Sequence, residues 1–246
     1  MLQEAKVLKI MAKFRPNSPT RSPSQSLAGI KYWKELQNLS GMLFGVFVGV
    51  HLYNLALGLF GGEEYDTFQK TAAGWYQLPW MEVANLVTLC VHVVSSLTLY
   101  FKGSSLPRSR SLRSQLHRLT GFVLLFLIGG HVMFTRVLPY FYGIRVGFSG
   151  VAFTFQNNFL LFFPYYLVYA SAGAYHLLNA LFINIAPAIT GASGLFGLWN
   201  KAFWTIFLAL EAVIVAALLS LSGFNYPIQD HSNSPYAQMQ RQMGMI

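Results

Sequence analysis

Cysteine occurs once in this chain, at position 90, so no internal disulfide can form; the thiol lies in an apolar run and reads as a small packed hydrophobe. A flavin-binding glycine fingerprint and a cysteine framework for an iron–sulfur cluster are also missing, so the chain does not read as a self-sufficient redox enzyme. Charge is scarce: Asp, Glu, Lys and Arg make up 10% of 246 residues, too little to solvate the surface of a soluble domain. Acidic residues are rarest, 8 against 17 Lys and Arg. That basic excess sits beside apolar runs and leaves no soluble domain to carry a groove, so nucleic acid is not expected as a partner.

Apolar residues are abundant, 54% of the chain with 16% aromatic and a mean hydropathy of +0.44, which makes the bilayer the expected solvent and membrane lipids the expected neighbours. About 20 apolar residues cross the hydrocarbon core, and five runs reach that length: roughly 40 to 61, 82 to 102, 118 to 138, 158 to 183 and 203 to 223. Only helices can cross without unsatisfied backbone groups, so an all-α membrane protein is expected, with 39 to 223 as its transmembrane domain. Turn residues punctuate the connections at Gly61-Gly62, Leu78-Pro79-Trp80, Pro107, Pro139 and Pro187. Pro164 lies inside the fourth run and predicts a helix start near it. Trp33, Trp75, Trp80, Tyr140, Tyr142 and Trp199 fall at run ends, as an interfacial aromatic belt requires.

Residues 1 to 38 carry Lys6, Lys9, Lys13, Arg15 and Arg21 and lack a secretory apolar stretch. They read either as a mitochondrial targeting segment or as a retained basic arm touching anionic lipid. The N-terminal arm has seven Lys and Arg, the second-to-third connection five and the fourth-to-fifth one; the other side has four, alongside Glu63, Glu64, Asp66 and Glu82. This asymmetry places the N-terminus in the negative compartment, the matrix if the membrane is a mitochondrial inner one, and the polar tail 224 to 246 on the opposite face.

The first and third runs begin with Leu39-Ser40-Gly41 and Leu119-Thr120-Gly121, each with a histidine ten residues after its glycine, His51 and His131. The second and fourth carry His92 and His176. This pattern predicts a duplicated hairpin whose four helices form a bundle, with the fifth helix as an addition. A rise of about 1.5 Å per residue puts His51 and His131 at one level, roughly 17 to 20 Å from the N-terminal side, and His92 and His176 at a looser match of about 15 and 24 Å from the other surface. Ionisable groups at that depth are functional candidates. Four neutral imidazoles on facing helices suit bis-histidine ligation of two b-type haems, one between His51 and His131 and one between His92 and His176. Gly41, Gly45, Gly49, Gly121, Gly129, Gly130 and Gly173 either make room for a flat macrocycle or serve helix contact. A non-haem metal site lacks accompanying carboxylates or thiolates, Cys90 being on another helical face from His92.

His117 and Arg118 read either as a haem-propionate or quinone contact or as an interfacial anchor. Glu211 is a proton-path candidate, or a hydrogen-bond partner of a neighbouring helix. His231, in the polar tail, is expected to be solvated.

The layout resembles the five-helix di-haem cytochrome b anchor of succinate:quinone and fumarate:quinol oxidoreductases, respiratory complex II, over roughly residues 33 to 223. The resemblance rests on Leu39-Ser40-Gly41 with His51-Leu52-Tyr53-Asn54, Glu82 with His92, His117-Arg118-Leu119-Thr120-Gly121 with His131, and His176-Leu177-Leu178-Asn179. It implies that the chain passes electrons between an iron–sulfur subunit, itself served by a flavoprotein, and membrane quinone, with the four histidines as axial ligands. The same region is similar to mitochondrial adapter proteins with a related membrane domain, implicated in lipid traffic; Arg136-Val137-Leu138-Pro139 and the N-terminal arm carry that second likeness. It implies a non-catalytic adapter instead. A fused five-helix anchor would also depart from the mitochondrial complex II pattern, in which two smaller chains share the role.

Overall fold

A computed structural model describes residues 23–103, 111–184 and 196–246. Lys6 to Arg21 of the basic arm, together with Pro107, Arg108, Arg110 and Pro187, lie outside the described residues. Helices follow in the order α1 (Pro23–Leu57), α2 (Gly62–Tyr76), α3 (Pro79–Gly103), α4 (Leu112–Val132), a π turn (Met133–Val137), α5 (Leu138–Phe141), α6 (Phe148–Asn157), α7 (Phe159–Asn184), α8 (Phe196–Leu221) and α9 (Pro235–Gln242). No strand occurs among the described residues. Five stretches are long and apolar enough to cross a membrane, Gly29–Leu57, Pro79–Lys102, Leu112–Phe141, Phe159–Asn184 and Trp199–Leu221.

The first boundary differs from the sequence reading at both ends. Helix α1 starts at Pro23, inside the segment read as a basic arm, and its polar turns continue the helix beyond the apolar run, with Lys31 and Glu35 paired one turn apart at 3.9 Å. It stops at Leu57, where Gly58, Leu59 and Phe60 donate to the carbonyls of Leu55, Ala56 and Leu57 in tighter turns. Gly61 then takes a φ of +130°, a conformation that favours glycine, and α2 begins.

Helices α1 and α3 form one closely packed hairpin and α4 and α7 a second; α7 also packs on α8, and α1 touches both α7 and α8. Helix α7 is central: a third of its apolar stretch is buried, against 6% for α3 and none for α4. The outer helices therefore leave apolar side chains such as Phe126, 85% exposed, uncovered by the rest of the chain, as a hydrocarbon solvent permits.

Helices α2, α6 and α9 gather into a cap at one end of the bundle. Odd-numbered crossings require this, since the first and third connections and the C-terminal tail all emerge on one side. The tail is more ordered than its polar composition predicts. The Tyr226 hydroxyl donates to the Gly58 carbonyl at 2.6 Å, Gln156 donates to the Gln229 carbonyl, and Ser234 caps α9 by accepting from the Ala237 N–H. Tyr236, Ala237 and Met239 are buried against Phe153. His231 is half-buried with its ring 6.1 Å from that of Phe148, so it is not the freely solvated residue expected. In the cap, burial pushes the Tyr65 hydroxyl above its ordinary range, with Tyr76 and Asp66 adding to the shift.

Candidate functional site

The four histidines meet as two facing pairs. His51 of α1 and His131 of α4 have ring centroids 5.7 Å apart, and His92 of α3 and His176 of α7 are 6.2 Å apart; both pairs are near perpendicular, at 88°. Each pair bridges the two hairpins, since α1 does not pack closely on α4, nor α3 on α7. His51 is exposed within the chain and the other three are half-buried, so the rings keep accessible surface deep in the bundle.

The Nδ1 of His92 lies 3.0 Å from the carbonyl oxygen of Gln37, and that of His176 3.0 Å from the carbonyl oxygen of His117. The His92 ring lies against Gln37 and Gly41 on α1, fourteen and ten residues before His51, so the two pairs sit at levels about 15–20 Å apart along that helix. The depth mismatch expected between His92 and His176 is absent. Helix α7 starts at Phe159 and not near Pro164, with Asn158 accepting from the Leu161 N–H at 3.1 Å, and Pro164 lies inside the helix. Its first turns belong to an aromatic cap, where Phe159 and Phe163 meet Phe155 and Phe224. Counting depth from residue 160 therefore overstates the level of His176.

His117 stacks on His176 at 3.9 Å and 13°, which places it beside the pair. Its Nδ1 and the Nε of Arg118 are buried without a hydrogen-bond partner. The same end of the bundle holds a feature that the sequence did not mark. Arg113 donates from Nε and Nη2 to the Oδ1 of fully buried Asn179, at 3.1 and 2.9 Å, and its guanidinium lies 4.0 Å from the Phe203 ring centroid. Around the other pair, Phe47 stacks on His51 at 5.7 Å and Tyr169 lies 4.8 Å from His131. The π turn begins two residues after His131 and carries Arg136, whose Nε donates to Glu82 at 2.5 Å.

Glu211 faces the bundle. One carboxylate oxygen accepts from the Ser171 hydroxyl at 2.6 Å and the other is buried without a partner. Cys90 is exposed, so its thiol does not pack against the rest of the chain. The glycines divide into separate roles. A Cβ on Gly41 would stand 2.7 Å from the His92 ring and one on Gly121 3.1 Å from the His176 ring, so these two admit imidazoles directly. Gly45 and Gly49 face Leu177, while Gly129, Gly130 and Gly173 have open space on the Cβ side. Among the described residues, no group of three or more His, Cys, Asp or Glu side chains is placed to hold a metal ion.

The repeat could have located Gln37, because it stands 80 residues before His117. The Arg113–Asn179 contact had no comparable sequence signal. No family model, curated protein or solved structure matches the chain.

Proposed function

We propose that the chain is a two-haem cytochrome b membrane subunit that carries electrons between an iron–sulfur partner and membrane quinone in a complex-II-like assembly. The spacing of the histidine pairs carries the reading. Two imidazoles bonded at about 2 Å to opposite sides of one metal ion have ring centroids roughly 6 Å apart, and the pairs stand at 5.7 and 6.2 Å. The lack of close packing between the paired helices and the open side of Gly173, one turn before His176, suit a flat group.

When bound, haem supplies one-electron chemistry at each site. The chain's own part is to hold the imidazoles, exclude water and set the electrostatics. At the His92–His176 level, the unpartnered Nε–H of Arg118, with the unpartnered Nδ1 of His117 beside it, suits a haem propionate or a quinone oxygen. About 7 Å further along the helix than His131, Arg136 and Glu82 form a partly exposed ion pair. Glu211, with one unpartnered oxygen in an apolar helix, is the candidate for proton transfer coupled to quinone chemistry. Lacking a flavin site, the chain depends on partner subunits for the dehydrogenase reaction, so it is not an enzyme alone. The proposed location is a mitochondrial inner membrane with the N-terminus in the matrix. The test is purification from mitochondria: copurifying flavoprotein and iron–sulfur proteins, with haem reducible by succinate or quinol, support the proposal. An outer-membrane, haem-free chain copurifying with lipid-transfer machinery overturns it in favour of the adapter.

A further inference from the structure

The internal repeat extends from the histidines to the groups that hold them. On α1, the Ser40 hydroxyl donates to the Leu36 carbonyl at 2.7 Å and lies 3.3 Å from that of Gln37; on α4, 80 residues later, Thr120 contacts the carbonyls of Leu116 and His117 at 2.9 and 3.0 Å. The Gln37 and His117 carbonyls each face the Nδ1 of a histidine on the next helix of the same hairpin, His92 and His176. Gly41 and Gly121 follow and bring the backbone against those rings. A carbonyl oxygen can only accept, so the Nδ1 of His92 carries the proton; at His176 the Thr120 hydroxyl also lies 3.3 Å from Nδ1, but its own proton goes to the Leu116 and His117 carbonyls, so there too Nδ1–H donates, leaving Nε2 free. Among the described residues, no side chain or backbone group hydrogen-bonds a ring nitrogen of His51 or His131.

We infer that Gln37/Ser40/Gly41 and His117/Thr120/Gly121 are two equivalent sockets that fix His92 and His176 as Nδ1–H tautomers and present both Nε2 atoms to one shared group. Gly41 and Gly121 are the positioning residues, since a side chain at either would push the imidazole off its carbonyl. The identity of that group rests on the haem reading, whereas the sockets themselves do not. A donating Nδ1–H makes the imidazole a stronger ligand and favours the ferric ion, so losing the bond raises the haem potential.

The test uses the full chain with its haem in nanodiscs, titrated for potential while two spectral components are followed. Gly41→Ala is expected to raise the potential of the His92–His176 component, or to remove it alone. Gly121→Ala, with 3.1 Å in place of 2.7 Å, should act the same way but less, and Gly49→Ala, where the Cβ meets Leu177 at an ordinary 3.9 Å, should move neither component. Unchanged components in both socket variants, or equal shifts in both components, overturn the inference. If the wild-type chain carries no haem, the haem reading fails. Ring 15N shifts then decide the sockets alone: Nδ1–H at His92 and His176 supports them, and Nε2–H refutes them.

Discussion

Removing the Arg136–Glu82 pair should cost stability by an amount intermediate between that of a surface ion pair and that of a buried one. The Nε–H of Arg136 reaches a Glu82 oxygen at 2.5 Å, and the two side chains are 34% and 35% exposed. Fully exposed pairs contribute about 0.2–1 kcal/mol, while removing one partner of a buried pair costs about 3–5 kcal/mol. Partial exposure discounts the upper figure, so Glu82→Ala should cost about 1–2 kcal/mol. Arg136→Ala should cost about 0.5–1 kcal/mol more, because the guanidinium also lies 5.4 Å from the Tyr140 ring centroid. The assay is reversible unfolding in mixed micelles on both single variants and the double variant. The expected coupling is about 1 kcal/mol, and Arg136→Lys should not restore it, since an ammonium cannot reproduce the directed Nε–H bond. Coupling below about 0.3 kcal/mol would mean that the two side chains do not interact, since independent sites already scatter by that much.

Three further outcomes are expected. His51→Ala and His131→Ala should remove one spectral component, and His92→Ala and His176→Ala the other; loss of the same component in His51→Ala and His92→Ala would contradict the pairing. Glu211→Gln should lower quinone turnover while both haem spectra persist, and unchanged turnover across about pH 6 to 8 would reduce the residue to a hydrogen-bond partner of Ser171. Met239→Ala, made at a side chain only 2% exposed in the cap, should cost about 2–5 kcal/mol. A cost under about 0.5 kcal/mol, measured by denaturation, would show that the tail is not docked.

Run length and the Gly-to-His spacing made the five crossings and the histidine pairing legible, because bilayer thickness and helical rise are fixed lengths. Element ends were less legible. Polar turns continued α1 backwards through Lys31 and Glu35, and the cap absorbed the first turns of α7. Composition misled for the tail, because Tyr236 and Met239 bury their side chains through contacts with residues more than 80 positions away, such as Phe153. The sockets were half-visible: Ser40-Gly41 and Thr120-Gly121 repeat in the sequence, but a backbone carbonyl leaves no residue-type signature at Gln37 or His117.

Whether the two histidine pairs each hold a haem is decided by a reduced-minus-oxidised spectrum of the purified full chain, with haem quantified against protein. Two b-type haems per chain in two bis-histidine components are expected; a chain folded in the membrane that carries no haem would rule them out.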